Sequence, residues 1–316
     1  MNKQKSNKNK NAKFLVDRSQ TVYNRGMKDQ HIPVLLTEVL AYLSPRPHES
    51  YLDLTAGYGG HAGAILDATL NYKDSVLVDR DEFAIACLKQ KFPSEITTIN
   101  TDFYSAMLQL IECGKTFDII LADYGVSSPQ LDNEERGFSF KGAGPLDMRM
   151  DRRQKLTADE IVNRWSERDL AEIFVKYGEE KLGRAKMLAR EIATHRPFTT
   201  TSELADLIKS KSRYSHTHPA TKIFQAIRIV VNDELTEIEK SLPLLPKLLN
   251  KGGRVGIITF HSLEDRLVKD YFKEASSHGE ESELSLVTKK PIVADSHELV
   301  INPRARSAKL RVAVRN

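Results

Sequence analysis

Residues 51–61 read YLDLTAGYGGH, an apolar strand that runs directly into a glycine-rich turn. A second apolar run, Val76-Leu-Val78, ends at Asp79, which lies 22 positions after Gly57. A strand, a glycine turn that opens a helix and an acid about 20 residues later are typical of an α/β sheet that binds a nucleoside. The glycines let the backbone approach the ligand closely, and the acid accepts hydrogen bonds from ribose hydroxyls. The pattern therefore predicts a nucleoside-cofactor site.

The spacing of this turn indicates which cofactor fits it. A dinucleotide site favours G-x-G-x-x-G, in which the third glycine lets the helix pack closely on the strand. In this chain Ala62 takes the third position, and Gly60 is an extra glycine straight after Gly59. Because alanine is tolerated there, the spacing discriminates only weakly. It favours a ligand without a pyrophosphate, such as S-adenosylmethionine.

Length and composition set the class of protein. The chain has 316 residues, 40% of them hydrophobic, which is enough for one large domain or for one domain that carries a second. It has no run of about 18 apolar residues, so no membrane span is expected. The basic residues near the N-terminus precede no apolar stretch, so no secretory signal is expected. The two cysteines, Cys87 and Cys113, suit a reducing compartment, and a cytoplasmic location is predicted.

The charge is unevenly distributed along the chain. The formal net charge is +4, but residues 1–31 hold eight Lys or Arg against two Asp, so the remainder is close to neutral. Residues 1–30 are predicted to be a disordered basic tail that either solubilises the protein or binds phosphate. The last 15 residues hold five basic side chains and no acid. Within them, the compact turn at 302–307 favours a phosphate-binding role.

Apolar strands alternate with helical segments in the first part of the chain. Such alternation predicts a parallel sheet covered by helices, and right-handed crossovers place the loops after its strands along one edge. The predicted strands are 51–54, 75–79, 96–100 and 117–122, and the predicted helices follow Pro33 and cover 60–69, 81–91 and 103–112.

This alternation breaks after Asp123. Residues 124–155 are loop-like, and from Thr157 to about Leu249 the chain is predicted to be helical, with one run from Ala220 to Ile238 after Pro219 at a first helical position. Strand character returns at 253–260, and two final β-like runs complete a sheet of seven strands. The predicted architecture is an α/β domain, 31–135 with 240–316, that is split by an inserted helical domain, 136–239.

The loop after the fourth strand begins with Asp123, which follows the apolar run FDIILA at 117–122. Its carboxyl group is therefore expected to emerge at the ligand edge of the sheet. One interpretation is a contact with the cofactor's amino group or with a target amine. The other is a turn or a helix cap, because Asp near Gly and Ser is common in turns.

Two further side chains are expected at the same edge. Phe103 follows the third strand and either stacks on an adenine ring or fills the core at a helix start. His61 opens a helix, where backbone N–H groups gather and can hold a carboxylate. Without a partner, His61 would be an exposed bystander.

The segment from Glu134 to Arg153 mixes aromatic residues, glycines and arginines. Such a mixture suits a mobile loop that closes over a base and its phosphates. A charged surface loop is the alternative, although Phe138, Phe140 and Met148 disfavour full solvation.

Two other chemistries are not expected. No metal is predicted, because the candidate ligands lack the spacing of a strong site; these are His216, His218, Asp233, Glu234, His261 and Glu264. A cysteine nucleophile is also not expected, because Cys87 falls in a predicted helix and Cys113 at a helix end, away from the ligand edge.

Six long blocks of sequence carry a family resemblance. They are DYGVSSPQLD (123–132), ERGFSF (135–140), GPLDMRMD (144–151), HPATKIFQAIR (218–228), FHSLEDR (260–266) and NPRARSAKLR (302–311). In this order they resemble the ribosomal RNA small subunit methyltransferase H family, over roughly residues 31–316. The resemblance implies a class I, Rossmann-like methyltransferase fold with an inserted all-helical substrate domain.

The resemblance also implies an activity and a site. The activity is methylation of N4 of a cytidine in the decoding region of small-subunit (16S) ribosomal RNA, free or in the assembled subunit, with S-adenosylmethionine as cofactor. The family's cofactor contacts fall on Gly59, Gly60, His61, Asp79, Phe103, Asp123 and Gln130. Gln130 enters only through the resemblance. The chain departs from the family's Leu-Asp-Leu-Gly at Tyr124, whose bulk is expected to reshape the pocket near the adenine.

Direct transfer of the methyl group is the predicted mechanism, and it needs an acceptor for a proton of the target amine. The candidates are Asp123, Ser127, Ser128 and Asp147. A nicotinamide oxidoreductase is one alternative, disfavoured by the glycine spacing and by the lack of an evident His/Lys/Tyr set. A catalytically silent RNA-binding factor for ribosome assembly, on the same fold, is the other.

Overall fold

The computed structural model describes residues 32–212, 218–277 and 279–316. The predicted basic tail at 1–30 and the metal candidate His216 lie outside the described residues. The chain divides by its internal contacts into two compact units. Unit 1 comprises the described residues up to Tyr124 together with Ile238–Asn316, and unit 2 comprises Gly125–Glu237.

Unit 1 is built on a seven-stranded sheet in the order β3-β2-β1-β4-β5-β7-β6. Strands β1 to β5 are parallel, whereas β7 is antiparallel to both β5 and β6. The strands are β1 (Tyr51–Asp53), β2 (Val76–Asp79), β3 (Thr97–Asn100), β4 (Phe117–Asp123), β5 (Leu249–Thr259), β6 (Leu284–Leu286) and β7 (Lys309–Arg315). The predicted α/β class I sheet is confirmed.

The strand order reverses between the parallel neighbours β1 and β4: β2 and β3 follow on the side of β1, and β5 follows on the side of β4. Ligands of open α/β sheets bind outside the carboxyl ends of the strands at such a switch point. Strand β4 is buried on both faces: Ile119, Ile120 and Leu121 are fully inaccessible. A continuous apolar run is what a central parallel strand requires, and this is why the sequence predicted it correctly.

The helices are numbered in chain order. They are α1 (Leu36–Leu43), α2 (Gly60–Thr69), α3 (Glu82–Lys91), α4 (Phe103–Glu112), α5 (Ser128–Asp132), α6 (Ala158–Arg164), α7 (Glu167–Lys176), α8 (Leu182–Thr194), α9 (Thr201–Ser210), α10 (Thr221–Asn232), α11 (Glu234–Ser241), α12 (Leu245–Leu248), α13 (Ser262–Ala275) and α14 (Ser296–Ile301). Asp81 and Asp102 cap α3 and α4, each by accepting a backbone N–H bond in the first turn. Within the described residues, no helix combines the length and apolar character that a membrane crossing needs.

Unit 2 has a hydrophobic core of its own, formed by the inner faces of α6 to α10. Phe174, Leu188, Ile192 and Ile223 are at most 1% exposed at its centre. Helix α9 begins with a complete capping box, in which Thr200 and Glu203 exchange side-chain and backbone hydrogen bonds.

The helical run predicted from Ala220 to Ile238 is two helices. Helix α10 ends at Asn232, and Asp233 adopts a left-handed backbone with φ of 50° before α11 begins. Asp tolerates that conformation, and the following Glu234 is held by a two-pronged ion pair with Arg228. Pro219 precedes the first helical residue instead of occupying it. Helix α14 was not predicted.

Candidate cofactor site at the switch point

The glycine turn between β1 and α2 packs closely against neighbouring side chains. Gly59 has φ of +73°, and a side-chain carbon there would lie 2.6 Å from the Phe92 ring. A side-chain carbon on Gly60 would lie 2.6 Å from Cγ of Pro33. Lys91 donates from Nζ to the carbonyl of Gly59 at 2.6 Å. Both glycines are therefore required by the fold of the turn itself, and the turn presents its backbone at the carboxyl edge of β1.

Asp79 closes β2 next to this turn. Its Oδ2 accepts a bond from the Gly57 N–H at 2.8 Å, and its Oδ1 accepts one from the Asp81 N–H, also at 2.8 Å. An ionised carboxylate can accept further bonds on each oxygen, so ribose hydroxyls remain compatible with these two. Burial raises the pKa of Asp79 to about 6, against the lowering effect of the two N–H donors. Gly57 and Asp79, which are 22 positions apart in sequence, are therefore in direct contact through this hydrogen bond.

Asp123 and His61 face each other at the ends of β4 and α2. His61 Nδ1 lies 3.6 Å from Asp123 Oδ2, and His61 Nε2 lies 2.9 Å from the Val34 carbonyl. Because a carbonyl only accepts, Nε2 carries a proton, and Nδ1 points to the carboxyl group. His61 is 7% exposed, so the expectation of an exposed bystander does not apply.

The surroundings of Asp123 favour the protonated form of its carboxyl group. Its Oδ1 is buried and makes no hydrogen bond within the part of the chain that the structure describes. Burial, with the neighbouring carboxyls of Asp53 and Glu264, raises its pKa well above the ordinary value. A buried polar atom without a partner is costly, and a bound ligand group or water is its usual explanation.

Asp53 belongs to this acidic group and was not singled out from the sequence. It is 2% exposed, accepts a bond from the Tyr51 hydroxyl at 2.6 Å and one from the Thr55 N–H at 3.1 Å, and burial raises its pKa to about 7. The available signal was an acid inside the apolar run YLDL, directly before the glycine turn.

The rings of Phe103 and Tyr124 pack against each other beside this group. Their centroids are 5.4 Å apart, and the two residues are 9% and 3% exposed. Tyr124 therefore lies in the core against Phe103, and its expected reshaping of the pocket near the adenine stays a prediction. The stacking role of Phe103 stays a prediction.

Comparison with known proteins assigns the family. The family model described as the MraW methylase family matches residues 28–316. The chain belongs to this family. Among its relatives, each called ribosomal RNA small subunit methyltransferase H, those of Nostoc punctiforme and of the Nostoc species of strain PCC 7120 are 49% and 48% identical. That of a Synechocystis species is 47% identical. The alignments cover 90% of this chain and 92–93% of each relative.

The predicted family and the predicted cofactor are confirmed: this methylase uses S-adenosylmethionine. The residues at the switch point fit that group. The glycine turn offers backbone at close range, Asp79 offers acceptors to two ribose hydroxyls, and Asp123 offers a buried oxygen that lacks a hydrogen bond among the described residues. Which of the predicted residues touch the cofactor stays a prediction.

In unit 2 of the methylase, the predicted residues Ser127 and Gln130 form a capping box at the start of α5. Ser127 Oγ accepts from the Gln130 N–H, and Gln130 Oε1 accepts from the Ser127 N–H. Ser128 and Gln130 are buried. These residues therefore have a structural task in addition to any catalytic or cofactor role.

Asp147 is committed to Arg149. The two side chains form a forked ion pair with distances of 2.7 and 3.0 Å, which holds the pKa of Asp147 below its ordinary value. Phe138 and Met148 are buried in the core of unit 2, and Arg136 binds the carbonyl of Met150. The segment from Glu134 to Arg153, predicted as a mobile loop, is therefore packed into unit 2 along much of its length.

Among the described residues, two of the histidines considered as metal ligands make local contacts, and the two cysteines are exposed. His261 caps α13 through the N–H of Glu264, and His218 stacks on Phe140 with centroids 4.6 Å apart. Cys87 and Cys113 are exposed free thiols. The absence of a metal stays a prediction.

Gly60 and Gly63 on α2 form a matched pair for testing the turn. Gly60→Ala is expected to weaken cofactor binding at least about tenfold, because its methyl group must displace Pro33. Gly63→Ala meets nothing closer than 3.8 Å and should leave binding unchanged, while stabilising the helix by roughly 0.5–1 kcal/mol. Calorimetric titration and thermal unfolding of both variants measure this. Equal effects of the two substitutions would contradict the packing argument.

Cofactor affinity is expected to fall as the pH is lowered through 6. With its pKa at about 6, Asp79 is about one-tenth ionised at pH 5, so binding there should be about tenfold weaker than at pH 7.5. Calorimetry with S-adenosylhomocysteine, the demethylated product, at several pH values measures it. The dependence should disappear in Asp79→Asn, and a persisting dependence would assign it to another group.

The same raised pKa acts on folding with the opposite sign. The folded, ligand-free protein holds the Asp79 proton up to about pH 6, whereas the unfolded chain releases it near 3.8. The contribution of Asp79 to the free energy of unfolding is therefore fully present below pH 4 and is lost as the pH rises through 6.

Proposed function

We propose that this protein methylates N4 of a cytidine in the decoding region of 16S ribosomal RNA. The proposal is supported by the names of its relatives, which act on small-subunit ribosomal RNA, and by the block resemblance described above. The observation that carries the chemistry is the buried, unsatisfied oxygen of Asp123 beside the glycine turn. An amine substrate has an N–H for that oxygen to accept.

In this proposal the turn at Gly59 and Gly60 would bind the amino-acid end of the cofactor, and Asp79 would bind its ribose. Phe103 would hold the adenine, and His61 and Asp123 would hold the sulfonium end. Gln130 would add a contact from α5. When bound, the cofactor supplies an electrophilic methyl group on a positively charged sulfur.

The protein's own task is to orient the amine and remove one proton. The N4 lone pair of cytosine is delocalised into the ring, so an acceptor aimed at its N–H must localise that pair as the N–C bond forms and the C–S bond breaks. Holding both reactants in near-attack geometry can supply roughly 7–11 kcal/mol of the barrier. The acceptor takes the proton from N4, and the bound cofactor would supply the methyl group and keep the electron pair of the broken bond.

Asp123 is the best-supported of the four acceptor candidates. Asp147 is paired with Arg149, which makes it a weak base, and Ser127 is engaged at its helix cap. A positive sulfur held near Asp123 would favour the ionised form of its carboxyl group, despite the surrounding acids. Asp123 would then be able to accept a proton from the target amine.

The test is transfer of tritiated methyl groups to small ribosomal subunits and to naked 16S RNA from cells that lack this protein. We expect incorporation that, after digestion to nucleosides, elutes as N4-methylcytidine. Label at ring carbon 5 or on another base would contradict the proposed position. Binding of the subunit without any transfer would favour a silent assembly factor.

A further inference from the structure

Residues 32–35, called the strap here, cross the glycine turn of unit 1. Pro33 packs on Gly60, close enough to exclude any side chain there. The Val34 carbonyl accepts the bond from His61 Nε2 at 2.9 Å. Val34 and Leu35 are 5% and 0% exposed, so the second half of the strap is embedded in the core of unit 1, whereas Ile32 is exposed.

The strap is anchored by the other end of the chain. The Leu35 N–H donates to Glu298 Oε1 at 2.7 Å, and Asn302 Nδ2 donates to the Ile32 carbonyl at 3.1 Å. The partners are 263 and 270 positions apart in sequence. Glu298 lies on α14, and Asn302, the first residue of the NPRARS turn, is 7% exposed.

This arrangement has an energetic cost. Leu35 adopts φ of 56°, a left-handed conformation that side chains with a β-carbon disfavour. Glu298 is half-buried, and burial together with Asp295 raises its pKa, while the Leu35 N–H lowers it. Glu38 is a further acid near it. Such strain persists where the surroundings enforce it, and it is found more often at functional sites than elsewhere.

We propose that Glu298 and Asn302 are positioning residues for cofactor binding, acting through the strap on Gly60 and His61. The inference rests on the proposed placement of the cofactor at the glycine turn. The Val34 carbonyl fixes the His61 ring by its Nε2, which directs Nδ1 to Asp123. Loss of an anchor frees the strap, so the turn and the ring lose their reference position, while Asp123 keeps its own backbone anchor on Thr55.

The experiment compares two variants of one anchor with a neighbour. Glu298→Ala is expected to raise the Kd for S-adenosylhomocysteine about tenfold, because the buried Leu35 N–H loses its acceptor. Glu298→Gln keeps an acceptor oxygen and should restore the Kd to within about twofold. His297→Ala, an exposed neighbour on the same helix, should bind as the parent does. The kcat at saturating cofactor should stay within about twofold of the parent in His297→Ala.

Each result decides the proposal. A Kd for Glu298→Ala equal to that of the parent would overturn it, and so would a lowered Tm without a change in Kd, because that marks a purely structural role. If Glu298→Ala fails to fold, Asn302→Ala tests the second anchor with the same readout. Asp79→Ala separates a failure of the strap inference from a failure of the cofactor placement. If Asp79→Ala binds S-adenosylhomocysteine normally, the cofactor placement is wrong. If Asp79→Ala binds weakly while the anchor variants bind as the parent does, only the strap inference fails.

Discussion

Asp79→Ala is expected to weaken the binding of S-adenosylmethionine by at least about 100-fold. The carboxylate is the only group in the proposed placement that accepts bonds from both ribose hydroxyls, and each such charge-assisted bond is worth about 1.5–3 kcal/mol. Calorimetric titration of the purified protein with cofactor and with S-adenosylhomocysteine measures the loss. Since the carboxylate also accepts the Gly57 and Asp81 N–H bonds, some loss of Tm should accompany it.

The matched control is Asp74→Ala, which removes an exposed acid of the same type shortly before β2. It changes the net charge equally and should leave the affinity within about twofold, since exposed charges are well screened. If both variants lose affinity to the same extent, the effect of Asp79 is one of overall charge and the ribose contact is wrong.

Asp123→Asn is expected to lower kcat about 1,000-fold, with the affinity for the uncharged product S-adenosylhomocysteine within a few fold of the parent. Proton transfer to a positioned side chain contributes about 10²–10⁴ to a rate, and an amide of the same shape cannot accept the proton. Single-turnover transfer to small subunits measures the chemical step, and calorimetry measures binding separately.

Asp147→Asn serves as the comparison, because it alters an acid whose charge is already taken up by Arg149. Its kcat should fall by less than about tenfold. If instead Asp123→Asn keeps full turnover, and Asp147→Ala abolishes it with cofactor binding intact, the proton acceptor lies in unit 2 and the assignment to Asp123 is wrong.

The sequence determined the sheet and the acid beside the glycine turn because both are local patterns. A central parallel strand such as β4 must be apolar throughout, and helices such as α2 follow their strands within a few residues. Asp79 was found by its distance along the chain from Gly57, which one βα unit keeps nearly constant. The six blocks added the family, which matches residues 28–316.

The tertiary structure decided which acidic groups are already paired and which have a raised pKa. From the sequence, Asp123 and Asp147 are both acids in predicted loops. In the structure, burial and two neighbouring acids raise the pKa of Asp123, whereas Arg149 holds the pKa of Asp147 low. The anchoring of the strap by Glu298 and Asn302 joins positions more than 260 residues apart. Periodicity and spacing report neighbours along the chain, but a pKa or a strained turn depends on atoms that only folding brings within a few ångströms.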